Sequence, residues 1–251
     1  MLPVDLVPDD FARTGLFFAS NGVPPTRFQV IGERSSGTNH LKRLLGRNTP
    51  LTPVEQLGWK HGGMQALAIP RDLVVVLSLR NAVDWALSMY AKPWHTPPAI
   101  QRLGFSEFLR AEWATIIDHQ KYFDGAGPLM VGQPLQQDRD PMGLPYPNLF
   151  ALRVGKLAAH LSLVNRGCSL VIARHESVLA DSEGFLRQFR QQMGLEPTDA
   201  PLRPVVKRLG SRFLPAVADR PPRPNSMADS DHAYMLGQLD LSLERALGYD
   251  Y

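Results

Sequence analysis

The chain has 251 residues, of which 44% are apolar and 20% charged, so it can bury a sizeable core and global disorder is excluded. Its 27 basic and 24 acidic residues give a net charge of only +3, which suits an anionic small ligand as well as nucleic acid, and the single cysteine, Cys168, excludes an intramolecular disulfide. The acidic start is not typical of a secretory signal, and the longest apolar run, 73–79, is too short to span a bilayer, so we expect a soluble, cytoplasmic protein.

The first predicted strand and helix follow an irregular arm, residues 1–26, which contains four prolines. The run FQVIG at 28–32 is apolar and ends in glycine, as a buried parallel strand does. The run TNHLKRLLG at 38–46 places three leucines on one face and predicts a helix. The residues between the two runs therefore lie on a strand-to-helix turn.

Two later apolar runs predict further strands of the same sheet. The run DLVVVLSLR at 72–80 is the clearest buried strand, and a helix capped by Asn81 follows it. The run CSLVIAR at 168–174 precedes a helical pattern at 182–194. Strands alternating with helices predict an α/β fold, a P-loop-type parallel sheet flanked by helices on both faces.

We expect a single domain over 1–251 with a helical and loop cover. Residues 96–150 combine a helix-like run, 106–123, with a long loop, and are predicted to cover the acceptor side. Residues 197–226 are predicted to be a basic loop. The nucleotide-binding core is expected at 27–95 and 167–195.

The first turn has the glycine spacing of a phosphate-binding loop. Gly32 and Gly37 match the front of G-x-x-x-x-G-K-S/T, in which backbone N–H groups and a helix N-terminus hold an anion. The lysine that clamps triphosphates and the magnesium ligand are replaced here by Thr38 and Asn39. The pattern favours a diphosphate-like group held without magnesium, with Arg34 as the local cation. The alternative is a strand-to-helix turn that binds nothing. The hydroxyl groups near the start of the helix argue against it: those of Ser35, Ser36 and Thr38.

A second anion site is predicted at the end of the clearest strand. Ligands collect at the C-terminal ends of parallel strands, where Arg80 lies. Ser88 follows about two helical turns after Asn81, so we expect it near Arg80. A guanidinium beside a hydroxyl suits a second phosphate. The alternative is that Arg80 pairs with Asp84 and that Ser88 is a packing residue.

Four runs occur in the order found in one enzyme family: ERSSGTN at 33–39, GWKHG at 58–62, LSLRNAVDWALSMY at 77–90 and ARHESVLADSEGFLRQFRQQMGL at 173–195. This order resembles that of PAPS-dependent sulfotransferases, nearest to bacterial sulfotransferase-like proteins with a P-loop core. The resemblance implies transfer of a sulfuryl group from 3′-phosphoadenosine 5′-phosphosulfate (PAPS) to a hydroxyl or amine of a small-molecule or glycan acceptor. The product would be adenosine 3′,5′-bisphosphate (PAP), and no metal is expected.

The resemblance also implies roles for individual residues. The first loop would hold the 5′-phosphosulfate, and Arg80 with Ser88 the 3′-phosphate. His61, neutral at cytoplasmic pH, would take the proton of the acceptor, and Lys60 would stabilise the departing phosphate. The predicted cofactor-binding residues are Arg34, Ser35, Ser36, Gly37, Thr38, Asn39, Arg80 and Ser88, and the predicted catalytic residues are His61, Lys60 and Arg34.

Two features qualify the histidine assignments. Adjacent side chains on an extended segment point to opposite faces, so only one of Lys60 and His61 is expected to face the ligand unless Gly62 and Gly63 bend the chain. The other histidines show no ligand spacing, apart from His95, which is a candidate for the acceptor pocket. Surface or packed core positions are expected for His119, His160, His175 and His232.

Two other function classes stay open. One is a P-loop kinase or NTPase with a degenerate loop, and the other is a non-catalytic module that binds nucleotide, or nucleic acid through 203–223. The low net charge argues against nucleic acid. The late basic residues predict either a lid or, as the favoured interpretation, a solvated loop: Lys207, Arg208, Arg212, Arg220 and Arg223. The acceptor and the oligomeric state are not predicted.

Overall fold

The computed structural model describes residues 7–8, 10–63, 66–206 and 213–251. They form an α/β fold around a five-stranded, mostly parallel sheet with helices on both sides. The strand order is β1-β5-β4-β2-β3, in which β1 alone is antiparallel to its neighbour. The strands are β1 (Leu16–Ala19), β2 (Arg27–Ile31), β3 (Thr52–Pro53), β4 (Leu73–Leu79) and β5 (Ser169–Arg174). The predicted α/β class is confirmed.

The centre of the sheet is built from β-branched and leucine residues. Every residue of β4 is buried, as expected for a parallel strand covered on both faces. Val76 of β4 pairs with Val30 of β2 on one side and with Val171 of β5 on the other. This register brings the C-terminal ends of β2, β4 and β5 to one edge of the sheet, where ligands bind in parallel α/β sheets.

Two helices pack together with the central strands in one buried cluster. Leu41, Leu44 and Leu45 of α2 (Thr38–Asn48) share it with Phe185 and Phe189 of α8 (Ser182–Gln192). Burying a leucine or phenylalanine side chain contributes about 1.5–3 kcal/mol, so this layer fixes α2 against the sheet. The N-terminus of α2 is thereby held at the C-terminal end of β2.

The prediction of an irregular arm over 1–26 is wrong in part. A short helix, α1 (Phe11–Thr14), leads into β1, whose Leu16 pairs with Ala173 of β5. The strand is only four residues long and its partner is remote in sequence, so the local pattern did not reveal it.

The described residues divide into two compact units, and the expected single domain stays a prediction. The first unit comprises the described parts of Met1–Arg80, Ala158–Gly210 and Leu241–Tyr251. The second comprises those of Asn81–Leu157 and Ser211–Asp240. The remaining helices are α3 (Ala82–Ala91), α4 (Pro98–Gln101), α5 (Phe105–Arg110), α6 (Leu149–Leu161), α7 (His175–Ala180), α9 (Asp229–Gln238) and α10 (Leu241–Ala246).

In the second unit, the helix predicted over 106–123 ends at Arg110. The following residues are extended, because Trp113 N–H donates to the carbonyl of Tyr146 and Leu135 N–H donates to that of Thr115. The long loop is also held by a buried ion pair, in which Lys156 Nζ lies 2.9 Å from Asp138 Oδ1. The segment that is predicted to be a cover is therefore tied to α6.

The late basic segment is described only in part, since Lys207, Arg208 and Arg212 lie outside the described residues. Arg223 is exposed, as expected of a solvated loop. Arg220 contradicts that interpretation: its Nη2 donates to the carbonyl of Tyr90 over 2.6 Å and its Nη1 to that of Ala91 over 3.3 Å. These are C-terminal carbonyls of α3, so Arg220 caps a helix end within the second unit.

Candidate functional site

The loop between β2 and α2 contains three residues with positive φ angles. Gly32 has a φ of 147°, Ser35 of 65° and Gly37 of 98°. A positive φ at Ser35, which is not glycine, is uncommon and indicates a constrained turn. Alternating right- and left-handed residues turn successive N–H groups toward one side, which is the geometry of an anion-binding nest.

Four amide groups of this segment have no acceptor. Among the residues that the structure describes, nothing accepts a hydrogen bond from the backbone N–H of Ser35, Gly37, Thr38 or Asn39. Gly37 is the N-cap of α2, and Thr38 and Asn39 are its first two residues, where the helix macrodipole adds partial positive charge. The predicted anion cradle therefore has donors available for a ligand.

The rest of the loop is fastened to its surroundings. Ser78 Oγ donates to the carbonyl of Ser36 over 2.7 Å, and Arg80 Nη1 donates to that of Ser35 over 3.0 Å. Ser36 itself donates from Oγ to the carbonyl of Glu33, so its hydroxyl points into the loop. A Cβ at Gly32 would lie 2.5 Å from the carbonyl oxygen of Ser78, so only glycine fits there. The cradle is preorganised by contacts with β4.

Arg34, the predicted loop cation, is turned toward an aromatic ring. Its guanidinium carbon lies 5.5 Å from the ring centroid of Trp59, within cation–π range, and the residue is only 5% exposed. The structure therefore places this charge in the interior beside the 58–62 segment.

Lys60 and His61 both reach the loop, because the chain turns at 59–62, the case in which the sequence allowed both to do so. Lys60 Nζ donates to Asn39 Oδ1 over 2.7 Å, and His61 Nδ1 lies 2.7 Å from the carbonyl oxygen of Gly32. The segment is a turn rather than an extended strand, and this allows both contacts. The predicted catalytic residues are thus brought together with the predicted phosphate loop.

The environment of the two side chains sets their chemistry. Burial lowers the pKa of Lys60 from its ordinary value. A carbonyl oxygen only accepts hydrogen bonds, so the neutral His61 ring carries its proton on Nδ1 and keeps a lone pair on Nε2. That tautomer suits a proton acceptor.

The two residues of the second predicted anion site lie in different units. Arg80 ends the first stretch of the first unit and contacts the loop at Ser35. Ser88 lies on α3 of the second unit and is half-buried. Their joint role stays a prediction.

His175, expected to be a surface or satisfied core residue, belongs to the loop site. A Cβ at Gly37 would lie 2.3 Å from its Nδ1, so the imidazole touches the loop. The residues on either side of His175 contact the C-terminal residues: Arg174 donates to the carbonyl of Gly248, and Tyr249 donates to Glu176. The sequence signals were its place directly after the C-terminal end of β5 and its inclusion in the run at 173–195.

Comparison with protein-family models, curated proteins and solved structures found no match for this chain. No cluster of three or more metal-ligating side chains occurs within the described ranges. Nor does any described helix combine the length and the apolarity needed to cross a membrane.

Proposed function

We propose that the chain is a PAPS-dependent sulfotransferase with a P-loop-type core that acts on a hydroxyl or amine of a small-molecule or glycan acceptor. The observation that carries the proposal is the loop with four amides lacking acceptors, directly beside Lys60 and His61. The ordered motifs of the sequence support the same function. The replacement of the triphosphate-clamping lysine by Thr38 argues against the kinase or NTPase alternative.

The free amides fit an anionic sulfate–phosphate group. Backbone N–H donors in a fixed nest bind negative charge without reorganisation, which makes their electrostatic stabilisation effective. Ser35, Gly37, Thr38 and Asn39 would hold the 5′-phosphosulfate of PAPS. Arg80 and Ser88 are assigned to the 3′-phosphate on their eight-residue spacing.

The catalytic roles are assigned to Lys60 and His61, the two side chains that contact the loop. PAPS, when bound, supplies a sulfuryl group whose bond to the bridging phosphate oxygen breaks as the acceptor oxygen or nitrogen bonds to sulfur. His61 would accept the acceptor's proton at Nε2. Lys60 would stabilise the negative charge that develops on the leaving phosphate.

A thermal-shift panel with PAP, ATP–magnesium and AMP tests the proposal. A ligand present at 100 times its Kd stabilises the protein by about 2.7 kcal/mol, so PAP is expected to raise Tm by roughly 5–10 °C. PAP should stabilise the protein most. A larger shift with ATP–magnesium would favour the kinase or NTPase class, and equal shifts with PAP and AMP would remove the second phosphate site.

The variant Arg80→Ala sharpens this panel. Loss of a charge-assisted hydrogen bond is expected to weaken PAP binding by about 1.5–3 kcal/mol and to abolish the preference for PAP over AMP. Arg139→Ala, which removes an arginine of the cover loop, is the matched control. An unchanged preference in Arg80→Ala would show that the 3′-phosphate is held elsewhere.

A further inference from the structure

Two imidazoles flank the loop at the N-terminus of α2. His40 lies in the first turn of this helix, and His175 is the residue after β5. Their ring centroids are 5.5 Å apart with the rings edge to face. Because His175 also touches Gly37, the pair adjoins the amides that have no acceptor.

One ring nitrogen of each imidazole lacks a hydrogen-bond partner in the part of the chain that the structure describes. The Nδ1 atoms of His40 and His175 are buried and have no hydrogen-bond partner among the described residues. Buried polar groups in folded proteins are nearly always paired, and leaving one unpaired costs about 1–3 kcal/mol. Two such groups side by side, next to a nest of free amides, indicate a ligand that the site is built to meet.

Burial and the neighbouring positive charges favour the neutral form of the pair. Burial is the main reason why the pKa of His175 falls to about 4, and Arg80 from the end of β4 and His40 from α2 lower it further. Glu176, the next residue of α7, acts in the opposite direction. Burial also lowers the pKa of His40. A doubly charged anion on the loop would offset the repulsion from Arg80 and favour the protonated rings.

We propose that His40 and His175 are further anion-binding residues of this loop and that the pair takes up a proton from solvent when a doubly charged ligand binds. The inference rests on the anion site of the proposed function. It adds a specificity to that site, since a ligand with two negative charges gains more from a protonated imidazole than a ligand with one. It also makes binding tighter in mildly acidic solution.

Sulfate is a suitable probe because it stays doubly charged from pH 5 to pH 8, so any dependence of its binding on pH comes from protons that the protein binds. We expect its affinity, measured by isothermal titration calorimetry, to rise by about tenfold or more between pH 7 and pH 5, since uptake of one proton changes binding by up to tenfold per pH unit. Titrations in two buffers of different ionisation enthalpy should show net proton uptake. NMR titration of the imidazole signals should place the His175 midpoint higher with sulfate than without it.

The double variant His40→Gln/His175→Gln should bind sulfate with no pH dependence, whereas the exposed control His119→Gln should keep the wild-type slope. A flat wild-type profile, no sulfate binding at any pH, or an unchanged slope in the double variant overturns the proposal. Failure of the proposed function is distinguishable: proton-linked sulfate binding with no extra stabilisation by PAP would leave the histidine pair and refute the nucleotide.

Discussion

The contact between His175 and the loop predicts that Gly37→Ala destabilises the protein far more than an ordinary glycine substitution. An alanine at a left-handed φ of 98° costs about 1–2 kcal/mol from its own backbone strain. Its Cβ would also lie 2.3 Å from His175 Nδ1, and such overpacking costs about 1–3 kcal/mol more. The expected loss in the free energy of unfolding is therefore about 2–5 kcal/mol.

Gly22→Ala is the matched control. Gly22 has a similar φ of 82°, but a Cβ there meets nothing within 4 Å, so only the strain of about 1–2 kcal/mol applies. Urea unfolding monitored by circular dichroism measures both variants, provided that the m-value stays constant. Placing Gly37→Ala in a His175→Ala background should reduce its cost to that of the control. Equal losses for Gly37→Ala and Gly22→Ala would refute the contact between His175 and the loop.

Three further predictions concern the proposed base His61, the buried ion pair of Lys156 and Asp138, and the dependence of stability on pH through His175. His61→Ala should lower sulfuryl transfer by roughly 10²–10⁴-fold while PAP binding survives, and unchanged turnover would remove His61 from the mechanism. Lys156→Met should lower the free energy of unfolding by about 3–5 kcal/mol, because it leaves Asp138 charged and buried, and Lys156→Met/Asp138→Leu should recover most of the loss in urea unfolding. The free energy of unfolding of the ligand-free protein should fall by about 3 kcal/mol between pH 6.5 and about pH 4, because the pKa of His175 is lower in the folded chain than in the unfolded chain. The variant His175→Gln should flatten this dependence of stability on pH.

The elements that the sequence predicted correctly are those with strong local signals. The seven apolar residues of β4 require burial on both faces, and Asn81 caps α3 by accepting from Asp84 N–H as its type and position suggest. The extended segment after Arg110 was mistaken for a helix, although Trp113, Thr115 and Ile117 are buried alternately with period two. That pairing is made with residues 132–146, and a local helical pattern contains no information about it.

The candidate site also contains some features that the sequence predicted and others that it did not. Gly32 and Gly37 predict the loop from sequence, because only glycine tolerates the close approach of β4 at the first position and of His175 at the second. The joint approach of Lys60 and His61 depends on a turn whose direction the sequence left open. His175 lies in the run at 173–195 but received no role from it, because its place beside the loop depends on β5 and on contacts of its neighbours with the C-terminal residues.

The contacts that surround the loop engage mainly its carbonyl groups. Its carbonyl groups, at Gly32, Ser35 and Ser36, are occupied by His61, Arg80 and Ser78. Gly32 N–H donates to the carbonyl of Lys60 and Ser36 N–H to that of Glu33, whereas within the described part of the chain nothing accepts from the N–H groups of Ser35, Gly37, Thr38 and Asn39. The first N–H groups of any α-helix lack intrahelical acceptors, and here the contacts of the loop carbonyls hold those groups in a fixed turn that can receive an anion. These contacts also predict that Ser78→Ala, which removes the hydrogen bond to the carbonyl of Ser36, loosens the loop and weakens sulfate binding in isothermal titration calorimetry, although Ser78 Oγ is not itself assigned to the ligand.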